Sequence, residues 1–216
     1  MNIMSSSISN SDTIAAHYVD EHRDDEASKL GMWLFLFTEL ILFGGLFLVY
    51  SIYRMMNPEA FAAGSFHLNV SIGAINTVVL ITSSATVALS ISALQFKKKR
   101  LTINLLLVTI LFAFIFMVNK YFEWGHKFEL GLFPGGDAFN ALEGGERLFY
   151  VLYYFMTGLH GLHVIIGAAL IAWVAWEVKV GKQTHDNFAF LENAGLYWHL
   201  VDLIWIFLFP LMYLIN

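Results

Sequence analysis

The chain has 216 residues, 58% of them hydrophobic and 13% charged, with a formal net charge of -5. That composition leaves too little polar surface for a soluble domain, and the length suits about five bilayer spans with short connections. The absence of cysteine excludes disulfides, thiolate-held zinc, iron–sulfur clusters and thiolate-bridged copper; the net charge says little about partners, because much of the acid lies in one tail, and no nucleic-acid partner is expected.

Residues 1–28 read as a polar tail with an acidic cluster, Asp20, Glu21, Asp24, Asp25 and Glu26. It lacks the basic and apolar regions of a secretory signal and is expected to stay as a loose or partly helical cytoplasmic extension. The first span is expected over residues 29–53. Its one charged side chain between Lys29 and Arg54 is Glu39, in the middle of the apolar run. An ionisable group at that depth costs roughly 2.5–3.5 kcal/mol on insertion scales and marks function by default. The plainer reading is a Glu kept neutral by hydrogen bonds between helices.

A loop with Pro58 and His67 leads to a second span, 68–94, rich in Ser, Thr and Ala. Asn76 and Thr77 are expected to bond across helices there. The basic turn of Lys97, Lys98, Lys99 and Arg100 precedes a third span, 101–122, which runs into KYFEWGHKFE. A Gly-rich segment, GLFPGGDAFNALEGGERLF, reads as an extramembrane loop. The fourth span is 148–176 and the fifth 196–215, with Pro210 removing one backbone donor near its end. Cytoplasmic segments hold eight basic residues against four outside when the N-terminus is inside, which is the orientation expected, with the C-terminus outside. The expected fold is an all-α membrane protein, a bundle of five transmembrane helices over residues 29–216.

In the fourth span, TGLHGLHVIIG places His160 and His163 three apart, with Thr157 on the same side. Gly158, Gly161 and Gly167 thin the helix for close packing. Metal ligation is disfavoured, since two His on one helix cannot grip both faces of a haem, and no metal site is expected in this chain; hydrogen-bonded packing is the default. In the fifth span His199 and Asp202 share a face and could form a charge-assisted pair, while Tyr197 and Trp198 suit an interfacial aromatic belt. Lys120 and Glu123 read as an interfacial salt bridge or a contact to a neighbouring subunit. No catalytic residue is expected.

Together these motifs resemble subunit III of the haem–copper oxidases, the cytochrome c oxidase type in particular. FLFTELILFGGLF around Glu39, LNVSIGAINTVVLITSSA around Asn76, KYFEWGHKF around Glu123, TGLHGLHVIIG and ENAGLYWHLVDLIWIFLF carry the resemblance, in order, over residues 29–215. The resemblance implies a subunit without a redox centre, with haems and copper in its partner subunits. It would pack against subunits I and II in a bacterial cytoplasmic membrane, bind phospholipid between its helices and sustain proton uptake. The oxidase served would reduce oxygen to water with electrons from cytochrome c. Glu39 falls on the family's membrane-embedded carboxylate, and His160, His163, His199 and Asp202 fall on its histidine and Tyr-Trp-His-x-x-Asp positions. Set against the longest members, the resemblance implies a five-helix form without their first two helices.

Within the family, a quinol-oxidase subunit or a nitric oxide reductase accessory subunit stays open, as does a larger respiratory supercomplex. A stand-alone transporter or proton channel would be expected to show repeats and broken helices. A di-haem cytochrome b-type anchor would bear pigment.

Overall fold

The structure, a computed structural model, describes the backbone of residues 10–215 and the side chains from Ala27 onward, so part of the acidic tail lies outside the described residues. α1 (Asn10–Met56) carries the first membrane segment and is one uninterrupted helix. The linker expected as a loop holds a short helix, α2 (Pro58–Phe66), where Pro58 takes the first turn and loses no bond by lacking an N–H.

α3 (Val70–Gln95) starts at Asn69, whose Oδ1 accepts the Ile72 N–H at 3.1 Å. A three-residue turn, Phe96 to Lys98, then leads into α4 (Lys99–Glu129). That helix runs seven residues past the expected boundary at 122, because its next forced break is Gly131 at φ +67. The Gly-rich loop contains one more short helix, α5 (Asp137–Ala141). α6 (Gly144–Val180) ends on Gly181 at φ +87, whose N–H closes onto Glu177 O and Val178 O. α7 (Ala189–Tyr213) begins seven residues before the expected 196 and passes Pro210 in its last turn.

Five of these helices are long and apolar enough to cross a membrane. α3, α4, α6 and α7 form a closed four-helix ring, each packed on the next. α1 lies outside that ring against α7 and α6, and is the least buried of the five. The ring's core is aromatic, with Trp198, Trp205, Tyr153, Tyr213, Phe116 and Phe149 fully buried. Outward faces are covered by exposed Trp33, Phe37, Leu111, Phe114 and Ile165, the inversion expected of a surface solvated by lipid.

Candidate functional site

The intramembrane polar residues sort into three groups within the bundle. In the first, Glu39 of α1 meets His163 of α6: Nε2 lies 3.0 Å from Oε2. The His163 Nδ1–H donates to the Leu159 carbonyl at 2.7 Å, one turn back. A carbonyl only accepts, so Nδ1 carries a proton and Nε2 shares a further one with Glu39. The contact is therefore a carboxylic acid donating to a neutral imidazole, or an imidazolium donating to a carboxylate; both hold the same number of protons. Phe43 stands edge-on to the imidazole at 5.3 Å and Tyr197 stacks beside it, its hydroxyl donating to the His163 carbonyl at 3.4 Å. Tyr197 and Trp198 are thus core residues, buried between α6 and α7, and not an interfacial belt.

The second group is different from its expected form. His199 and Asp202 share a face of α7 but do not pair with each other; each turns to the hydroxyl row of α3. His199 Nδ1 bonds the Ser84 hydroxyl, and Asp202 Oδ2 has Ser83 Oγ at 3.5 Å. Ser83 also donates to Leu80 O at 2.7 Å and accepts the Trp198 indole N–H at 3.0 Å. Its single proton cannot serve Leu80 and Asp202 together, so the aspartate is thinly held, and its Oδ1 accepts nothing within the described chain.

The third group lies toward the far end of α4. Lys120 and Glu123 do form the expected contact, at 3.0 Å, but as part of a buried cluster. Glu123 Oε1 accepts the hydroxyls of Tyr153 at 2.7 Å and Tyr213 at 2.6 Å, with Lys127 at 3.5 Å. Lys120 also donates to Tyr213 Oη at 2.8 Å and sits 5.0 Å above the Trp205 ring. α4, α6 and α7 are tied together here by five side chains. Such clusters are needed because one carboxylate must compensate two ammonium groups away from water.

His160 was expected to be hydrogen-bonded and is not: fully buried, it packs between Phe116 and Trp205, and neither ring nitrogen has a partner among the described residues. Asn76 does bond across helices, its Oδ1 accepting from Asn119 Nδ2 at 2.7 Å, and Thr77 Oγ1 accepts the Trp205 indole N–H at 3.0 Å. Of the three glycines, Gly167 makes the closest approach: a Cβ there would stand 2.8 Å from the Trp198 ring. Gly158 faces Trp124, and Gly161 opens onto a groove between α4 and α6.

Tyr153, Tyr213, Lys127, Ser83, Ser84 and Asn119 were not singled out from sequence. Asn119, a lone amide in an apolar run, was a readable signal; the tyrosines were not, since aromatic residues are common throughout the chain. Haem and copper do not suit the histidines: both nitrogens of His163 are already bonded, one of His199 is, and His160 is sealed between aromatic rings.

The family model described as "Cytochrome c oxidase subunit III" matches residues 6–216. Cytochrome c oxidase subunit 3 of Thermostichus vulcanus is 32% identical over 211 residues, 94% of each chain. The Synechocystis protein of the same name is 32% identical over 195 residues, 90% of this chain and 78% of the relative. A probable quinol oxidase subunit 3 of Staphylococcus saprophyticus is 27% identical over 202 residues, 93% of this chain and 96% of the relative.

Proposed function

Because the chain belongs to the cytochrome c oxidase subunit III family, we propose that it is the non-redox membrane subunit of an oxidase that takes electrons from cytochrome c and reduces oxygen to water on partner subunits. In this reading it spans a bacterial cytoplasmic membrane with its N-terminus inside, packs against subunits I and II, and holds phospholipid along its outer grooves. It supports proton uptake without carrying the pumped proton. The observation that carries the reading is the pairing of Glu39 with His163. An acid–imidazole contact that already shares its proton suits tuning of local hydration and charge, whereas a relay would need further carriers on either side of it. Glu123 is engaged elsewhere, by Lys120, Lys127 and two tyrosines.

Replacement of Glu39 by Gln in the assembled oxidase tests this. Oxygen reduction and the proton-to-electron ratio should persist, while the rate of turnover-dependent inactivation changes. Complete loss of pumping with intact oxygen reduction would defeat the reading.

A quinol donor is the second reading, favoured by the similarity to a probable quinol oxidase subunit 3. The partner subunit II decides between them: a copper domain with paired cysteines indicates cytochrome c.

A further inference from the structure

Two pockets run into one another along the seam between α1 and α7. The first, of about 340 Å³, is lined by Lys29, Glu192 and Asn193 together with Trp33, Leu196 and His199. The second, of about 360 Å³, shares Trp33, Leu196 and His199 with it and continues past Phe37, Leu40 and Leu203. The seam is therefore polar at one end and apolar along the rest.

The polar end lies at a border of the membrane. Lys29 is the third residue of the apolar segment Ala27–Met56, and Glu192 is the fourth of α7. Leu40 on α1 and Leu203 on α7 each lie eleven residues further on, about 16 Å at 1.5 Å per residue. That is about half of a hydrocarbon layer roughly 30 Å thick, so the seam has the depth of one leaflet.

The chemistry of the polar end restricts what can sit there. Lys29 Nζ and Glu192 Oε2 are 3.1 Å apart, with the lysine half exposed. Asn193 is buried, and its Nδ2 donates to Ser28 Oγ at 3.0 Å. That bond fixes the amide, while its Oδ1 has no donor within the described chain. A buried amide oxygen left bare is costly, and only an N–H or O–H from an occupant satisfies it. One ammonium and one carboxylate stand beside it, so an occupant carrying both signs keeps the pocket neutral. A quaternary ammonium brings charge without a donor. A glycerol headgroup brings donors but leaves its phosphate charge uncompensated. A primary ammonium brings both charge and donor.

We propose that the seam holds one phospholipid with a primary ammonium headgroup. Its phosphate meets Lys29, its ammonium meets Glu192 and Asn193 Oδ1, and an acyl chain lies along Trp33, Phe37 and Leu203. This rests on the phospholipid reading above and names the headgroup and the place.

The test uses the complete oxidase, stripped of loosely held lipid by detergent. It is offered phospholipids that carry a diazirine near the end of one acyl chain and an ethanolamine, choline or glycerol headgroup on otherwise identical chains. Adducts are mapped by mass spectrometry after illumination. The ethanolamine probe should label the peptides around Leu40 and Leu203 several-fold more than either other probe. The groove between α4 and α6 has no carboxylate among its lining residues, so all three should label it alike. Asn193→Leu and Glu192→Gln should each abolish the preference at the seam without changing labelling between α4 and α6. Labelling of the seam by the choline or glycerol probe as strong as by the ethanolamine probe in the unsubstituted protein overturns the headgroup assignment alone. So does a preference that survives both substitutions. A seam left unlabelled while the α4–α6 groove is labelled overturns the site. Absence of adducts anywhere on this chain overturns the phospholipid reading together with it.

Discussion

Glu39 Oε2 and His163 Nε2 lie 3.0 Å apart although 124 residues separate them in the chain. Each belongs to a helix that could turn its polar group elsewhere, and together they form the mid-bundle link between α1 and the four-helix ring. At the other end of that contact surface, Lys29 pairs with Glu192 at 3.1 Å and Asn193 donates to Ser28 at 3.0 Å. The lightly packed first helix is therefore held by polar links at two levels.

A double-mutant cycle measures the first of them. Glu39→Leu and His163→Phe, alone and combined, should couple by about 0.6–1.7 kcal/mol in reversible unfolding in mixed micelles, the range found for hydrogen bonds within membrane bundles. Additive losses would mean that the two side chains do not meet.

The cluster on α4 should respond far more strongly. Glu123→Leu leaves two buried ammonium groups without their carboxylate, so stability should fall by about 3–5 kcal/mol. Tyr213→Phe, which removes one donor, should cost about 1 kcal/mol in the same assay. A loss below about 1 kcal/mol for Glu123→Leu would instead match an exposed ion pair, contrary to its burial.

Glycine substitutions separate close packing from groove lining. Gly167→Ala drives a methyl group against the Trp198 ring and should destabilise by about 1–3 kcal/mol. At Gly161 the nearest atom to an added Cβ is Met117 Cε at 4.0 Å, so Gly161→Ala should be stability-neutral within about 0.5 kcal/mol. Equal effects at the two positions would contradict the observed α6–α7 contact.

His160→Phe tests a buried imidazole without hydrogen bonds in the chain. An apolar ring of similar shape between Phe116 and Trp205 should change stability by less than about 1.5 kcal/mol in either direction. A loss of several kcal/mol would show that the imidazole has a polar partner after all.

The membrane segments were readable in advance because a span announces itself locally: roughly 20 apolar residues suffice, whatever they pack against. Boundaries were less so. α4 continues through Lys120, Glu123 and Lys127, charges that read as the end of a span until Tyr153 and Tyr213, supplied by other helices, compensate them. α2 hid in a linker whose proline reads as a breaker but occupies a helix start.

Among the site residues, spacing predicted which side chains share a helix face. It was sufficient for Lys120 with Glu123, where i,i+3 neighbours do bond. It failed for His199 and Asp202, the same distance apart, because Ser84 and Ser83 on α3 stand opposite. Tyr197 and Trp198 were assigned to a membrane border on composition, yet α6 covers both, with Gly167 making room.

Local order along the chain thus settled how many helices are long and apolar enough to cross a membrane, which of them carry the acid and imidazole groups, and the family to which the motifs belong. Each is a property of a short window: apolar length, residue type, or spacing on one helix. The rotation of every helix and the order of its neighbours settled the rest, namely that Glu39 meets His163, that Asp202 is thinly held, and that His160 has no bond. Those depend on packing summed over the whole bundle, where the partner of a polar group comes from a helix tens or hundreds of residues away.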